Sequence, residues 1–314
     1  MHFLKSVVIC SQFKINGNTK HLAKLVLNFL NKLNYLKTTL FKCLVGKGFN
    51  CPNCNHSENS IISKKYLFTS LRRCKNCLLL YRAPTTTEEE NNKFYQETYS
   101  QGFTTDCPDE EKLKQLIKTN FDGTEKSYKD YLNVLINLDD RKNLELLDFG
   151  CSWGYGSFQL KKQGYKVYSY EISKPRSNYA KTKLNIKIID NLNSLENNQF
   201  DIFFCSHVLE HLPDLNSTIN FALKVLKKDG FFVAFTPNGS KYCREKYKDW
   251  NKWWGMVHPN FLDENFYKNR FKNYKYYITS SPYDGNSIKK FMNGDNIYCD
   301  ELSGGELLII VKNK

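Results

Sequence analysis

From position 144 onward the apolar and polar positions fall into blocks that switch between the strand period and the helix period. They predict a strand at 144–149, a helix at 156–163, strands at 165–171, 186–190 and 200–205 with a helix at 175–183, then a helix at 215–227 and a strand at 230–236. Two further apolar runs, YKYYITSS (274–281) and GELLIIVKN (305–313), carry no clear helix between them and read as a closing antiparallel hairpin. The rhythm is that of an α/β protein: a seven-stranded doubly wound sheet with an antiparallel final strand. Upstream, helices are expected at about 110–120 and 125–138, preceded by a polar, acidic stretch, TTTEEENNKFYQETY (85–99), that reads as a linker becoming helical. Near the start, residues 18–44 place Leu22, Leu25, Val26, Phe29, Leu30, Leu33, Leu36, Leu40 and Leu44 on one helical side, with Lys20, Lys24 and Lys32 largely elsewhere.

Charge sharpens this division. Of the net charge of +14, residues 1–81 hold +12, and residues 1–50 contain eight Lys and no acidic residue. Any long-range electrostatic role therefore belongs to the N-terminal part. The basic helix over 18–44 has three readings: packing on the protein body, peripheral contact with anionic lipid, or contact with nucleic acid. No run of apolar residues is long enough to span a membrane. The opening MHFLKSVVICSQFK lacks a cleavage pattern, so a cytoplasmic location, with contact at a membrane surface as an extension, is the expectation.

Four of the eleven cysteines form a pair of pairs, Cys51-x2-Cys54 and Cys74-x2-Cys77. Each pair supplies two thiolates from a tight turn, and two such turns close a tetrahedral sulfur site suited to structural Zn2+ in a small zinc-ribbon-like module. Unrelated cysteines or an iron–sulfur centre are the alternatives. A closed site of four thiolates leaves no position open for chemistry, and the other cysteines are expected as free thiols.

The first strand of the α/β part runs into Asp148-Phe149-Gly150-Cys151-Ser152-Trp153-Gly154-Tyr155-Gly156. The G-x-G-x-x-G spacing of a dinucleotide site is absent, and the glycines suit a broader loop that lets a ligand cross the strand end. The second strand ends in Glu171, placed to accept from both hydroxyls of a ribose. Here the sequence resembles the class I S-adenosylmethionine-dependent methyltransferases, with a Rossmann-like fold, through D-x-G-C-x-x-G at Asp148–Gly154. The resemblance implies that Asp148, Gly150, Cys151, Ser152, Gly154 and Gly156 line the cofactor and that Glu171 holds its ribose. It implies an adenine contact at Asp190 or Asn191 and, in FDIFFCSHVLEHLPD, a segment passing the methionine end at His207 toward the acceptor. The family commonly has Gly where this chain has Ser152.

His207, Glu210 and His211 follow the fourth strand, where open α/β sheets place their clefts, and His258 lies in WNKWWGMVHPNFLDENF. All four are candidate catalytic groups, with Glu210–His211 a candidate oriented pair. A metal at His207-x3-His211 is not expected for want of a further ligand. Tyr247, Trp250, Trp253 and Trp254 have two readings, stacking on an acceptor or packing the cysteine module onto the core.

The cysteine module, the aromatic and acidic linker and this core together look like a subgroup acting in sugar and glycan biosynthesis. That resemblance implies methyl transfer to a small-molecule acceptor, a hydroxyl of a sugar or glycan precursor. The runner-up is an RNA methyltransferase gripping backbone through the basic module. The expected organisation is a basic helical segment over 1–50, a zinc module over 51–82, a linker with helices over 83–139 and a methyltransferase domain over 140–314.

Overall fold

The computed structural model describes residues 33–93, 106–294, 298–299 and 301–314. It divides into two units, Met1–Lys47 and Gly48–Lys314. In the first, helix α1 is described over 33–44 and carries exposed Leu33, Leu36, Leu40, Phe41 and Leu44. The expected helical stretch from Asn18 to Lys32 and the linker residues Phe94 to Tyr99 lie outside the described residues.

The second unit opens with β1 (Asn59–Lys65), β2 (Thr69–Cys74) and β3 (Leu80–Ala83), then α2 (Glu88–Lys93), α3 (Glu110–Lys118) and α4 (Lys129–Leu138). The alternating part follows as β4 (Glu145–Phe149), α5 (Tyr155–Gln163), β5 (Lys166–Tyr170), α6 (Lys174–Leu184), β6 (Phe200–Ser206), α7 (Leu215–Val225), β7 (Leu226–Pro237) and α8 (Lys241–Lys246). It closes with β8 (Asn260–Phe261), α9 (Glu264–Arg270), β9 (Lys275–Ser280), α10 (Gly285–Asn293), β10 (Tyr298–Cys299) and β11 (Glu306–Lys312). The large sheet has the order β10-β9-β11-β7-β6-β4-β5, with β11 antiparallel to both neighbours and the other pairings parallel.

Strict alternation along each strand builds the two faces. Leu147, Phe203, Phe232 and Val311 lie in register across four strands and pack toward α7 and α9, through Ile219, Ala222, Phe266 and Tyr267. Their neighbours Leu146, Phe204, Val233 and Ile310 point the other way, against Val134, Leu135, Ile288 and Phe291 of α4 and α10. Each such fully buried side chain stabilises the fold by about 1.5–3 kcal/mol.

Three expectations need correction. The strand expected at 186–190 is a single bridge, Ser169 to Ile188. Asn185 ends α6 in a left-handed conformation and Asn191 already caps the next turn, so the span is too short to pair further. The last two long strands are antiparallel as expected, but α10 and β10 lie between them, and β10 restores a sheet of seven. Finally, β7 begins at Leu226 rather than at 230, because Leu226 already pairs with Phe200 and shortens α7.

Gly156 sits in the first turn of α5 under the ring of Tyr128, and a Cβ there would lie 2.1 Å from the ring carbon Cζ. That ring is held by Tyr131 and Tyr155, with centroids 5.0 and 5.6 Å away, so it cannot swing aside freely. Gly156→Ala is expected to destabilise the protein by about 3 kcal/mol, the upper range for overpacking. Thermal melts of Gly156→Ala in the wild-type and Tyr128→Ala backgrounds test this. An equal cost in both would show that the ring is not the obstacle.

Candidate active site

The glycine loop is shaped by backbone conformations that side chains rarely adopt. Gly150 and Gly154 have φ of +87° and +88°, and Gly150 packs so closely on Val208 that a Cβ would approach Val208 Cγ2 to 2.4 Å. Ser152 also takes a left-handed φ of +53°, which explains why glycine suits this position. The amides of Gly150 and Cys151 both donate to Tyr170 O, tying the loop to the end of β5.

Glu171 lies beside that loop. Its carboxylate accepts from the amides of Ser152 (2.9 Å) and Ser173 (2.8 Å). Burial raises its pKa, against those two hydrogen bonds and the charge of Arg176. Asp148 is buried at the end of β4 and accepts from Ser157 Oγ at 2.5 Å. Burial pushes it up to about 7 despite that bond. Ser152 Oγ is buried without a hydrogen-bond partner among the described residues. An orphaned hydroxyl between a carboxylate and a bent glycine backbone fits a polar ligand laid across the strand end, as a ribose with its methionine arm would be. Asp190 and Asn191 are exposed where the bridge at Ile188 ends, and Asn191 Oδ1 is engaged in capping the Leu192–Ser194 turn.

The turn after β6 abuts the glycine loop through Val208 and gathers the acceptor-side candidates. His207, at φ +54°, is hydrogen-bonded through Nε2 to Glu306 Oε1 at 2.5 Å and lies 3.3 Å from Glu210 Oε1 through Nδ1. Desolvation would lower its pKa although the side chain is half exposed, but its hydrogen bond to Glu306 and the charges of Glu210 and Glu306 raise it to about 10. Glu306 also accepts from the hydroxyls of Tyr131 (2.7 Å) and Tyr283. Sequence reasoning missed this carboxylate and its two tyrosines, which come from β11, α4 and the loop before α10.

Glu210 is 1% exposed and His211 8%, both within the turn Leu209–His211. Burial brings His211 down to about 4, and for Glu210 the opposing burial is overcome by the nearby histidines, His211 foremost, which lower it. His258, from a segment far along the chain, meets His211 with ring centroids 4.7 Å apart.

What brings His258 there is the cysteine module. Cys51 Sγ and Cys77 Sγ are 3.5 Å apart, Cys54 Sγ and Cys74 Sγ 3.6 Å, and all four lie within 4.8 Å of one another. A tetrahedral ion with sulfur bonds of about 2.3 Å has edges of about 3.8 Å, so the four thiols fit one. Both turns are built alike: the amide of Asn55 returns to Cys51 O and that of Leu78 to Cys74 O, each from a left-handed residue. The module's sheet, β1-β2-β3-β8, is completed by β8, two residues after His258, with Leu80 opposite Phe261 and Tyr81 opposite Asn260. Asn260 Nδ2 in turn donates to Leu209 O and to Leu212 O, clamping the Glu210–His211 turn. Trp254 is buried with Leu71, Leu80 and Phe261, and Trp250 and Trp253 pack against that cluster, so the tryptophans join the module to the core.

A family model described as "Methyltransferase domain" matches residues 121–281. The chain is 29% identical over 104 residues to a ubiquinone biosynthesis O-methyltransferase of Pelagibacter ubique, covering 31% of this chain and 43% of that one. It is 24% identical over 143 residues to a malonyl-[acyl-carrier protein] O-methyltransferase of Acetivibrio thermocellus, covering 40% of this chain and 50% of that one. The chain thus spans half or less of the length of these relatives. Among solved structures, geranyl diphosphate C-methyltransferase from Streptomyces coelicolor A3(2) is 10% identical, with a TM-score of 0.49, covering 72% of this chain and 98% of that one. A possible histamine N-methyltransferase from Thermotoga maritima is 16% identical, with a TM-score of 0.43, covering 65% and 96%. With its family model running from Phe121 through the glycine loop and the Glu210 turn to Ser281, the chain belongs to the methyltransferase domain family and has the class I S-adenosylmethionine-dependent methyltransferase fold.

Proposed function

We propose that the protein transfers a methyl group from S-adenosylmethionine to a small-molecule hydroxyl, on a sugar or glycan precursor, and that its four cysteines hold structural Zn2+. The observation that supports this most is the junction of Gly150 with Val208, which sets the ribose-binding end of the loop against a turn rich in polar groups. S-adenosylmethionine supplies a methyl group on a positively charged sulfur, so the protein's task is to hold an oxygen in line with it and keep competing water away. His207, Glu306, Tyr131 and Tyr283 present several donors and acceptors within one small area, which suits an acceptor with several hydroxyls. The relatives' printed names include two O-methyltransferases, in line with oxygen as the acceptor atom.

The RNA reading is weaker because the module's arginines are engaged internally. Arg72 lies over the Phe49 ring and bonds Asn59 and Ser70, while Arg73 pairs with the buried Asp263 at 2.6 Å. Incubation with methyl-labelled S-adenosylmethionine and, separately, a panel of nucleotide sugars and total RNA separates the two. Label in a nucleotide sugar is expected, and label confined to RNA would reverse the assignment.

A further inference from the structure

We propose that Glu210, His211 and His258 form a second metal site, for a divalent transition-metal cation of the zinc or cobalt type, distinct from the four-cysteine site. One ligand atom from each of the three lies within 4.8 Å of the others. Glu210 is 1% exposed, yet neither of its oxygens accepts a hydrogen bond from the described residues. It has charge contacts, at 3.3 Å to His207 Nδ1 and 3.8 Å to His211 Nε2. The His207 imidazolium meets only Oε1, and a buried carboxylate with an oxygen left unpaired is costly unless a further cation meets it.

The histidines are prepared in the manner of metal ligands. His211 Nδ1 is 2.7 Å from Val257 O and His258 Nδ1 is 2.8 Å from Trp253 O. A carbonyl oxygen can only accept, so Nδ1 carries the proton in both rings, and in the neutral form the lone pair is on Nε2. Metal-bound histidines are oriented by such bonds to backbone carbonyls. Two imidazoles and one carboxylate are a donor set for a borderline cation, and three protein ligands leave a further position for a small molecule. A tetrahedral cation with bonds of about 2.1 Å has edges of about 3.4 Å, so binding draws the three groups slightly together.

The cation's use, though not its binding, rests on the methyl-transfer reading. An acceptor hydroxyl in the open position becomes more acidic and passes its proton to water. Its oxygen then forms the bond to the methyl carbon as the carbon–sulfur bond breaks and the electron pair stays on sulfur. The products are the methyl ether, neutral S-adenosylhomocysteine and one proton.

The test is to load the full-length protein with Co2+, remove excess by gel filtration, and record metal content and visible absorption, with S-adenosylhomocysteine binding in parallel. Two equivalents are expected in wild type. One should show thiolate-to-cobalt charge transfer and the other only weak nitrogen- and oxygen-ligand bands. His258→Ala and Glu210→Gln should each weaken the second by roughly 100-fold or more and leave the first in place. One equivalent in wild type, with thiolate absorption only, would overturn the proposal whether or not the variants fold. If S-adenosylhomocysteine still bound, the methyltransferase reading would survive that result. Two equivalents without cofactor binding would uphold the metal site and count against its proposed use.

Discussion

Replacing Cys54 and Cys77 with Ser is expected to abolish binding of the Zn2+ proposed for the four-cysteine site and with it methyl transfer, although those cysteines lie outside the turn that carries the acceptor-side candidates. A structural zinc site of this kind contributes about 10–16 kcal/mol of binding free energy to folding, as much as the whole stability of an ordinary domain. Its loss melts the two turns and, with them, β2 and β3. The damage then follows contacts already described. β3 no longer pairs with β8, Arg73 no longer meets Asp263, and Asn260 no longer holds Leu209 O and Leu212 O. Asp263 is fully buried and caps α9, so losing Arg73 leaves its charge to the longer contact with Arg244 at 4.0 Å and adds to the cost. His258, two residues before β8, loses its place over His211. The cofactor loop and Glu171 sit on β4 and β5 outside the module, so S-adenosylhomocysteine affinity should fall far less than turnover. Metal analysis, a methyl-transfer assay and a ligand titration on the double variant measure the three effects. Turnover that persisted after the ion was lost would show that the module is not what positions the acceptor side.

What the sequence revealed and what it concealed follow from how local each signal is. The C-x2-C turns and the glycine loop are defined within a few residues, so their chemistry is written in short spacings. The strands between Glu145 and Pro237 were legible because burial on both faces imposes continuous apolar runs. The segment at Ile186–Asp190 has the same composition, but its pairing is decided by how much chain remains between Asn185 and Asn191. Helix α10 carried a usable signal: Asp284 caps it by accepting from Asn286 and Ser287, and Ile288 and Phe291 then follow at helical spacing. Two contributions had no local signal. β8 is two residues long and exists because β3 lies beside it. Glu306 meets His207 across 99 positions, through the antiparallel placement of β11 beside β7. His258 was visible as a candidate, yet its partnership with His211 depends on the same two-residue strand.

Glu171→Ala is expected to weaken S-adenosylhomocysteine binding by roughly 100-fold or more, because a carboxylate holding two ribose hydroxyls makes two charge-assisted hydrogen bonds of about 1.5–3 kcal/mol each. The same side chain also accepts from the amides of Ser152 and Ser173, so its removal leaves two donors without their partners and loosens the loop. The two causes separate through Glu171→Gln, which keeps the side chain's length and one carbonyl oxygen but carries no charge. If the ribose contact dominates, Gln should sit between Ala and wild type in affinity, while melts of the unliganded proteins should fall only by the one amide hydrogen bond that the Gln NH2 cannot accept. If loop disorder dominates, affinity and unliganded melting temperature should fall together across the series. NAD in the same titration should bind none of the three proteins, since Gly150, Gly154 and Gly156 do not form the turn that seats a pyrophosphate. Unchanged affinity in Glu171→Ala would mean that the ribose is held elsewhere. The line from ribose through Gly150 and Val208 to the Glu210 turn would then lose its starting point.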